Sequence, residues 1–343
     1  MISGSDLQQI VEIALALVVF CFVLVAANLG DISPAWRVVA FAGQCGICAI
    51  VAVLALSNIA TALIVPADVQ ANTGLPASRV IIGNVVELAG ALVAPVVLFR
   101  GVRDRVARVL REFRPESAIN AVGASLYVLV VTLFLSLQVS TDQLRQIKQS
   151  GQSPSLVFII GTNQLPFLIV AVAGVGFMAR RNPRQTLQRL GLYWPGWRWI
   201  LGSAGAAVVL VIFGIVFDLL TVRLTPEQSK SIDEVSKQLL NNVNTWEAAV
   251  VLALAAGIGE EILFRGALMP RLGNALSALI FAVLHTQYAI SLATLEIFLL
   301  GLALGWIRKR AGTTGSIIAH AGYDLILLLL PFALVFFDHY FKH

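Results

Sequence analysis

The residues best equipped for chemistry lie in the last quarter of the chain. "GEEILFRG", 259–266, sets Glu260 and Glu261 side by side, a helical turn ahead of Arg265. "LSALIFAVLHTQ" carries His285 one turn after Phe281, and "SIIAHAGYDLILLLL" carries His320 and Asp324 at i and i+4, on one helix face. Glu261 and Arg265 are also i and i+4, the favourable order for a helix ion pair, so this pair reads as structural. Glu260 is turned about 100° away and finds no partner on its own helix. A free carboxylate with histidines is the equipment of general acid–base catalysis, of a proton relay or of a metal site.

These groups sit in segments as apolar as a bilayer interior. Of 343 residues 58% are hydrophobic and only 13% charged, which is too little charge to cover a soluble surface. The expected fold class is therefore all-α, a polytopic transmembrane helix bundle of about ten spans. Seven apolar runs, 7–29, 36–65, 80–99, 118–139, 155–179, 198–222 and 246–264, are long enough to cross the hydrocarbon core, and three at 274–288, 289–307 and 315–337 are shorter or more polar. The first run reads as a retained helix, since no Lys or Arg precedes it and it exceeds a signal-peptide core.

The net charge of +5 resides in loops between these runs, which argues for membrane topology and against nucleic acid as a partner. Arg100, Arg103, Arg105, Arg108, Arg111 and Arg114 mark one cytoplasmic loop, and Arg180, Arg181, Arg184, Arg189 and Arg198 another. Alternation brings Arg265 and Arg271, then Arg308, Lys309 and Arg310, to the same side and leaves both termini outside. Thr225, Pro226 and Gln228 have the form of a capped helix start, with Ile232, Val235, Leu239 and Val243 following at helical spacing, so this loop is expected along the outer surface. Cys45 and Cys48 spell C-x-x-C inside an apolar run and read as small residues at a helix contact.

Charged groups at a helix centre cost roughly 2.5–3.5 kcal/mol each, so Glu260, Glu261 and Asp324 facing lipid would cost on the order of 8 kcal/mol. They must face one another or a wet cavity. Glu260, His285 and His320 each fall within about two to three turns of the cytoplasmic ends of their helices, so the expected pocket opens toward the cytoplasm. Glu12, Glu87, Asp218 and Glu296 have no basic or histidine neighbour at i±3 or i±4 and read as packing or helix-end residues.

In order and spacing, "EEILFRG", "FAVLH" and "HAGYD" resemble the EExxxR, FxxxH and HxxxN/D motifs of the CAAX protease and bacteriocin-processing family of intramembrane glutamate proteases. The resemblance covers residues 190–343 as a protease core and leaves 1–189 as an N-terminal transmembrane region of unassigned role. It implies an endopeptidase in which Glu260 with His285 activates water while His320 with Asp324 supports the oxyanion. Glu261, Arg265 and Phe281 stand in support, and neither cofactor nor metal is implied. The commonest residue at the last motif position is asparagine, whose amide can donate to an oxyanion, so Asp324 must be protonated or act through His320.

The expected partners are a polypeptide substrate, the lipid bilayer of a bacterial plasma membrane and, through residues 1–189, a partner membrane protein. The alternative within the family is a non-proteolytic scaffold or peptide-toxin immunity protein. A transporter built on the same buried acids would favour repeated halves with broken helices, and no repeat is evident.

Overall fold

The computed structural model describes residues 4–64, 76–140, 153–288 and 290–341, with side chains of 331–341 left aside. Residues 65 and 289, at the edges of two expected spans, lie outside the described residues. Among the described residues every regular element is helical, apart from one isolated bridge between Phe177 and Arg181. Hydrocarbon offers backbone polar groups no partner, and helices satisfy them internally.

The long helices are α1 (Gly4–Gly30), α2 (Pro34–Ile64), α3 (Ala77–Val93) and, after the short amphipathic α4 (Arg100–Val109), α5 (Ala118–Ser140). Next come α6 (Leu156–Ile159) and α7 (Leu165–Gly174), joined by a π-helical turn, Ile160–Gln164. The arginine-rich segment that follows folds into α8 (Pro183–Leu190), opened by a capping box of Asn182 and Gln185. The second half contains α9 (Trp197–Leu224), α10 (Pro226–Leu240), α11 (Trp246–Glu261) with its π-helical continuation Ile262–Leu268, α12 (Met269–Leu284) and α13 (Leu292–Phe341).

Among the described residues seven helices are long and apolar enough to cross a membrane, against about ten expected spans. The difference lies in the second half. α11 proper ends after 16 residues, where the backbone widens into π geometry. α12 is broken at Gly273 (φ 80°, ψ 172°), which leaves 274–284 only about 16 Å long. The two runs expected at 289–307 and 315–337 form the two helical halves of α13, which meet at a kink at Gly312 (φ 69°, ψ 179°). Glycine is required at both bends, because a side chain there would be strained in that backbone conformation.

Apolar side chains facing outward, such as Val209 and Leu219 on α9, at 64% and 65% exposure, would be costly in water and suit lipid contact. Polar side chains are used between helices: Asn28 donates to the carbonyls of Ala173 and Gly174 at 3.1 and 3.0 Å, and Gln44 to Ser125 at 2.9 Å. Cys48 is buried beside Gln44 and Cys45 is exposed, so neither is held in a disulfide.

The bundle has two distinct ends. At one, Asp31 accepts from the backbone N–H of Ala118 and pairs with Arg180, and α4, α8, Gly273 and Gly312 gather nearby. This is the arginine end. At the other lie the start of α1, the start of α6 and all of α10. Ile232, Val235 and Val243 of the α10 region are buried as their spacing predicts. The expected capping box does not form there. The Thr225 hydroxyl instead donates back to Thr221 O at 3.1 Å, closing α9 before α10 begins.

Candidate active site

The three sequence patches converge. Glu260 and Glu261 end α11, His285 follows the last turn of α12, and His320 and Asp324 stand on the second half of α13 beyond Gly312. Contact between α11 and α13 is close because Gly257 faces Ala321. A Cβ at 257 would lie 2.8 Å from Ala321 Cβ and 2.9 Å from its backbone nitrogen.

Glu261 is the ion-paired carboxylate of the two. It is fully buried and accepts from Arg265 Nη1 at 2.8 Å and from His320 Nδ1 at 2.9 Å. Arg265, 1% exposed, donates also to Gly301 O at 3.2 Å, and its guanidinium lies 4.3 Å over the Phe281 ring. The Phe264 carbonyl, which accepts from the Met269 N–H at the end of the π-helical turn carrying Arg265, also accepts from Ser277 Oγ at 2.7 Å. Such turns are frequent at functional sites because they re-aim one residue without ending a helix.

Phe281 ties the site together. Its carbonyl accepts from His285 Nδ1 at 2.7 Å, and its ring packs edge-on against the imidazoles of His285 and His320, at 4.7 and 5.8 Å between centroids. A carbonyl can only accept, so His285 carries its proton on Nδ1 and turns a bare Nε2 toward Glu260 when neutral.

Glu260 is 8% exposed and differently placed from Glu261. Its Oε1 accepts from Gln164 Nε2 at 3.1 Å. Its Oε2 has no hydrogen-bond partner and lies between two imidazole nitrogens, 3.9 Å from His285 Nε2 and 4.0 Å from His320 Nε2. These separations exceed a direct hydrogen bond and match a bridging water. Asp324 Oδ2 flanks His320 Nε2 at 3.5 Å. Among the described residues no three His, Cys, Asp or Glu side chains form a group that could hold a metal ion.

Gln164 went unread in the sequence. Its signal was the polar run Thr162, Asn163 and Gln164 inside an otherwise apolar span, which the π-helical turn aims at Glu260.

Two cavities meet at these residues. One of about 300 Å³ is lined by His285, His320, Asp324, Tyr288 and Tyr323. The second, about 460 Å³, runs from Glu260 and Gln164 to Gln9, Pro154, Leu239 and Leu240. Those outer residues belong to the α10 end of the bundle.

Residues 242–326 match the family model of the type II CAAX prenyl endopeptidases, Rce1-like. The matched segment contains all three motifs and every residue of the cluster except Gln164. No curated protein and no solved structure matches the chain significantly. The segment is thus Rce1-like, which points to a membrane protease of CAAX type.

Proposed function

We propose that the protein is a glutamate-dependent, metal-independent endopeptidase that hydrolyses a peptide bond in a membrane-associated or peptide substrate. One observation carries this reading: Glu260 Oε2, buried and without a hydrogen-bond partner, faces His285 Nε2 and His320 Nε2 at 3.9 and 4.0 Å. A water held there donates one hydrogen to the carboxylate and one to His285 Nε2, which leaves an oxygen lone pair free for attack.

In the reaction, the water oxygen bonds to the scissile carbonyl carbon as its proton passes to Glu260. The carbonyl oxygen takes up the electron pair and becomes the oxyanion. His320 supports it: Nδ1 is committed to Glu261, so only Nε2 can meet the substrate, with Asp324 on its flank. Collapse breaks the C–N bond, and Glu260 returns the proton to the leaving nitrogen. Glu261 and Arg265 hold the imidazole in register.

The arginine end is cytoplasmic in a bacterial plasma membrane, and the substrate approaches from the α10 end. Prenylation is a eukaryotic modification, so an unprenylated polypeptide is the favoured substrate class. Residues 1–189 contribute Gln164 to the site and offer their remaining apolar surface to lipid or to a partner membrane protein.

The test is cleavage by purified protein in detergent. Glu260→Gln and His285→Ala abolish turnover while folded yield stays at the wild-type level, and chelators leave wild-type cleavage unchanged. Full activity of Glu260→Gln would sink the reading, and loss on chelation would sink its metal independence.

A further inference from the structure

At the arginine end a cavity of about 560 Å³ is lined by seven arginines against two carboxylates, Asp31 and Glu112. Asp31 is already paired with Arg180. Arg181, Arg189 and Arg271 donate to carbonyls that helices leave open, those of Val175, of Gly266 and Ala267, and of Gly174. These bonds complement the negative ends of helix dipoles but supply no counter-charge. Among the described residues Arg111 and Arg114 form no side-chain ion pair, and Arg308 Nε is a buried donor without an acceptor. Burial, then repulsion from Arg181, Arg308 and Arg114, lowers the Arg189 guanidinium to about 10. Cations are crowded here beyond what the chain itself neutralises.

The cavity does not stand alone. Ile119, Asn120 and Arg271 also line an apolar groove of about 360 Å³ between α1, α5, α7 and the π-helical turn after α11. Asn120, Tyr127 and Arg271 apart, every side chain along that groove is apolar. Its far wall, Ile13, Phe167, Phe264 and Leu284, is shared with the cavity that holds Glu260.

A cationic pocket opening into an apolar groove has the polarity of an amphiphile. A soluble anion would leave the groove uncovered, and a peptide would bring backbone polar groups that the groove cannot satisfy. Guanidinium forks match phosphate oxygens, and basic pockets at a membrane surface attract anionic lipid. We propose that this composite site holds one phosphate-headed membrane lipid, with its head among the arginines and one hydrocarbon chain along the groove. The inference makes no use of Glu260 and stands independently of peptide cleavage.

The experiment is native mass spectrometry of the full-length protein in detergent, titrated with phosphatidylglycerol, with diacylglycerol lacking the phosphate, and with inorganic phosphate. One phosphatidylglycerol is expected per protein, with diacylglycerol at least tenfold weaker. Arg114→Gln with Arg308→Gln weakens phosphatidylglycerol about tenfold or more. Arg105→Gln with Arg108→Gln removes equal charge outside the cavity and changes it less than twofold. Gly123→Phe fills the groove, since a Cβ there meets nothing within 4 Å, and also weakens the lipid. Circular dichroism melts matching wild type establish that each variant is folded, and a variant that fails this is replaced by its lysine or leucine counterpart. Equal loss in the two arginine pairs would reduce the site to diffuse attraction. Displacement of the lipid by inorganic phosphate, with Gly123→Phe without effect, would leave a free-phosphate site and overturn the proposal.

Discussion

Adjacent glutamates of one chemical type should fail in opposite ways. Glu261 and Arg265 are 0% and 1% exposed, 2.8 Å apart, so Arg265→Gln leaves a carboxylate in the interior with its cation gone. Breaking a buried pair from one side costs about 3–5 kcal/mol. The lost donation to Gly301 O and the contact over Phe281 put the value in the upper part of that range. At about 2 °C per kcal/mol for a long chain, the melting temperature falls by roughly 8 °C. Glu260→Gln keeps an oxygen to accept from Gln164 and breaks no direct hydrogen bond to His285 or His320, which lie 3.9 and 4.0 Å away, so its cost stays under about 1 kcal/mol. Its turnover falls by roughly 10² to 10⁴, the worth of a general base. The assay pairs circular dichroism melts in one detergent with cleavage of one substrate. The double variant Glu261→Gln with Arg265→Gln should melt above Arg265→Gln alone, because no uncompensated charge remains. An Arg265→Gln melt within about 2 °C of wild type, where roughly 8 °C is expected, would refute the assignment.

Three further outcomes follow from the same geometry. Gln164→Ala frees Glu260 Oε1 and lowers kcat about three- to tenfold with KM little changed, read from steady-state kinetics; an unchanged kcat would remove Gln164 from the site. Gly257→Ala drives a methyl against Ala321, costs about 1–3 kcal/mol and lowers turnover at least tenfold by moving His320 from Glu260, as melts and kinetics would record. In a background without Cys21, Cys45 and Cys48, a cysteine replacing Leu240 is labelled from the α10 side and the label blocks cleavage, whereas one replacing Arg184 is labelled from the arginine side without effect. Labelling of both from one side would contradict the separation of the two ends.

Much of the site was legible because its chemistry is expensive in hydrocarbon. Glu260, His285, His320 and Asp324 stand out against apolar helices, and the i, i+4 relation of Glu261 to Arg265 survives in the π-helical turn at 2.8 Å. Neither the Glu261–His320 bond nor the reach of Gln164 follows from spacing, since each joins helices whose mutual rotation is a tertiary property. The breaks within the helices of the second half were hidden for a related reason. Hydropathy registers composition along the chain, while the bends at Gly273 and Gly312 depend on backbone conformations that glycine permits but does not enforce. The contribution of α10 and the start of α1 to the cavity wall was similarly hidden, because it depends on how those helices pack.

The central claim is that Glu260 makes this protein a peptidase. Its most direct measurement is a quantitative mass-spectrometric comparison of peptides released from membranes of cells carrying wild-type protein or Glu260→Gln at equal abundance. The account predicts a set of cleavage products present with wild type and missing with the variant; made in ¹⁸O water, the fragment with the new carboxyl end bears one heavy oxygen and the fragment with the new amino end bears none. Identical peptide profiles from the two membranes would contradict it.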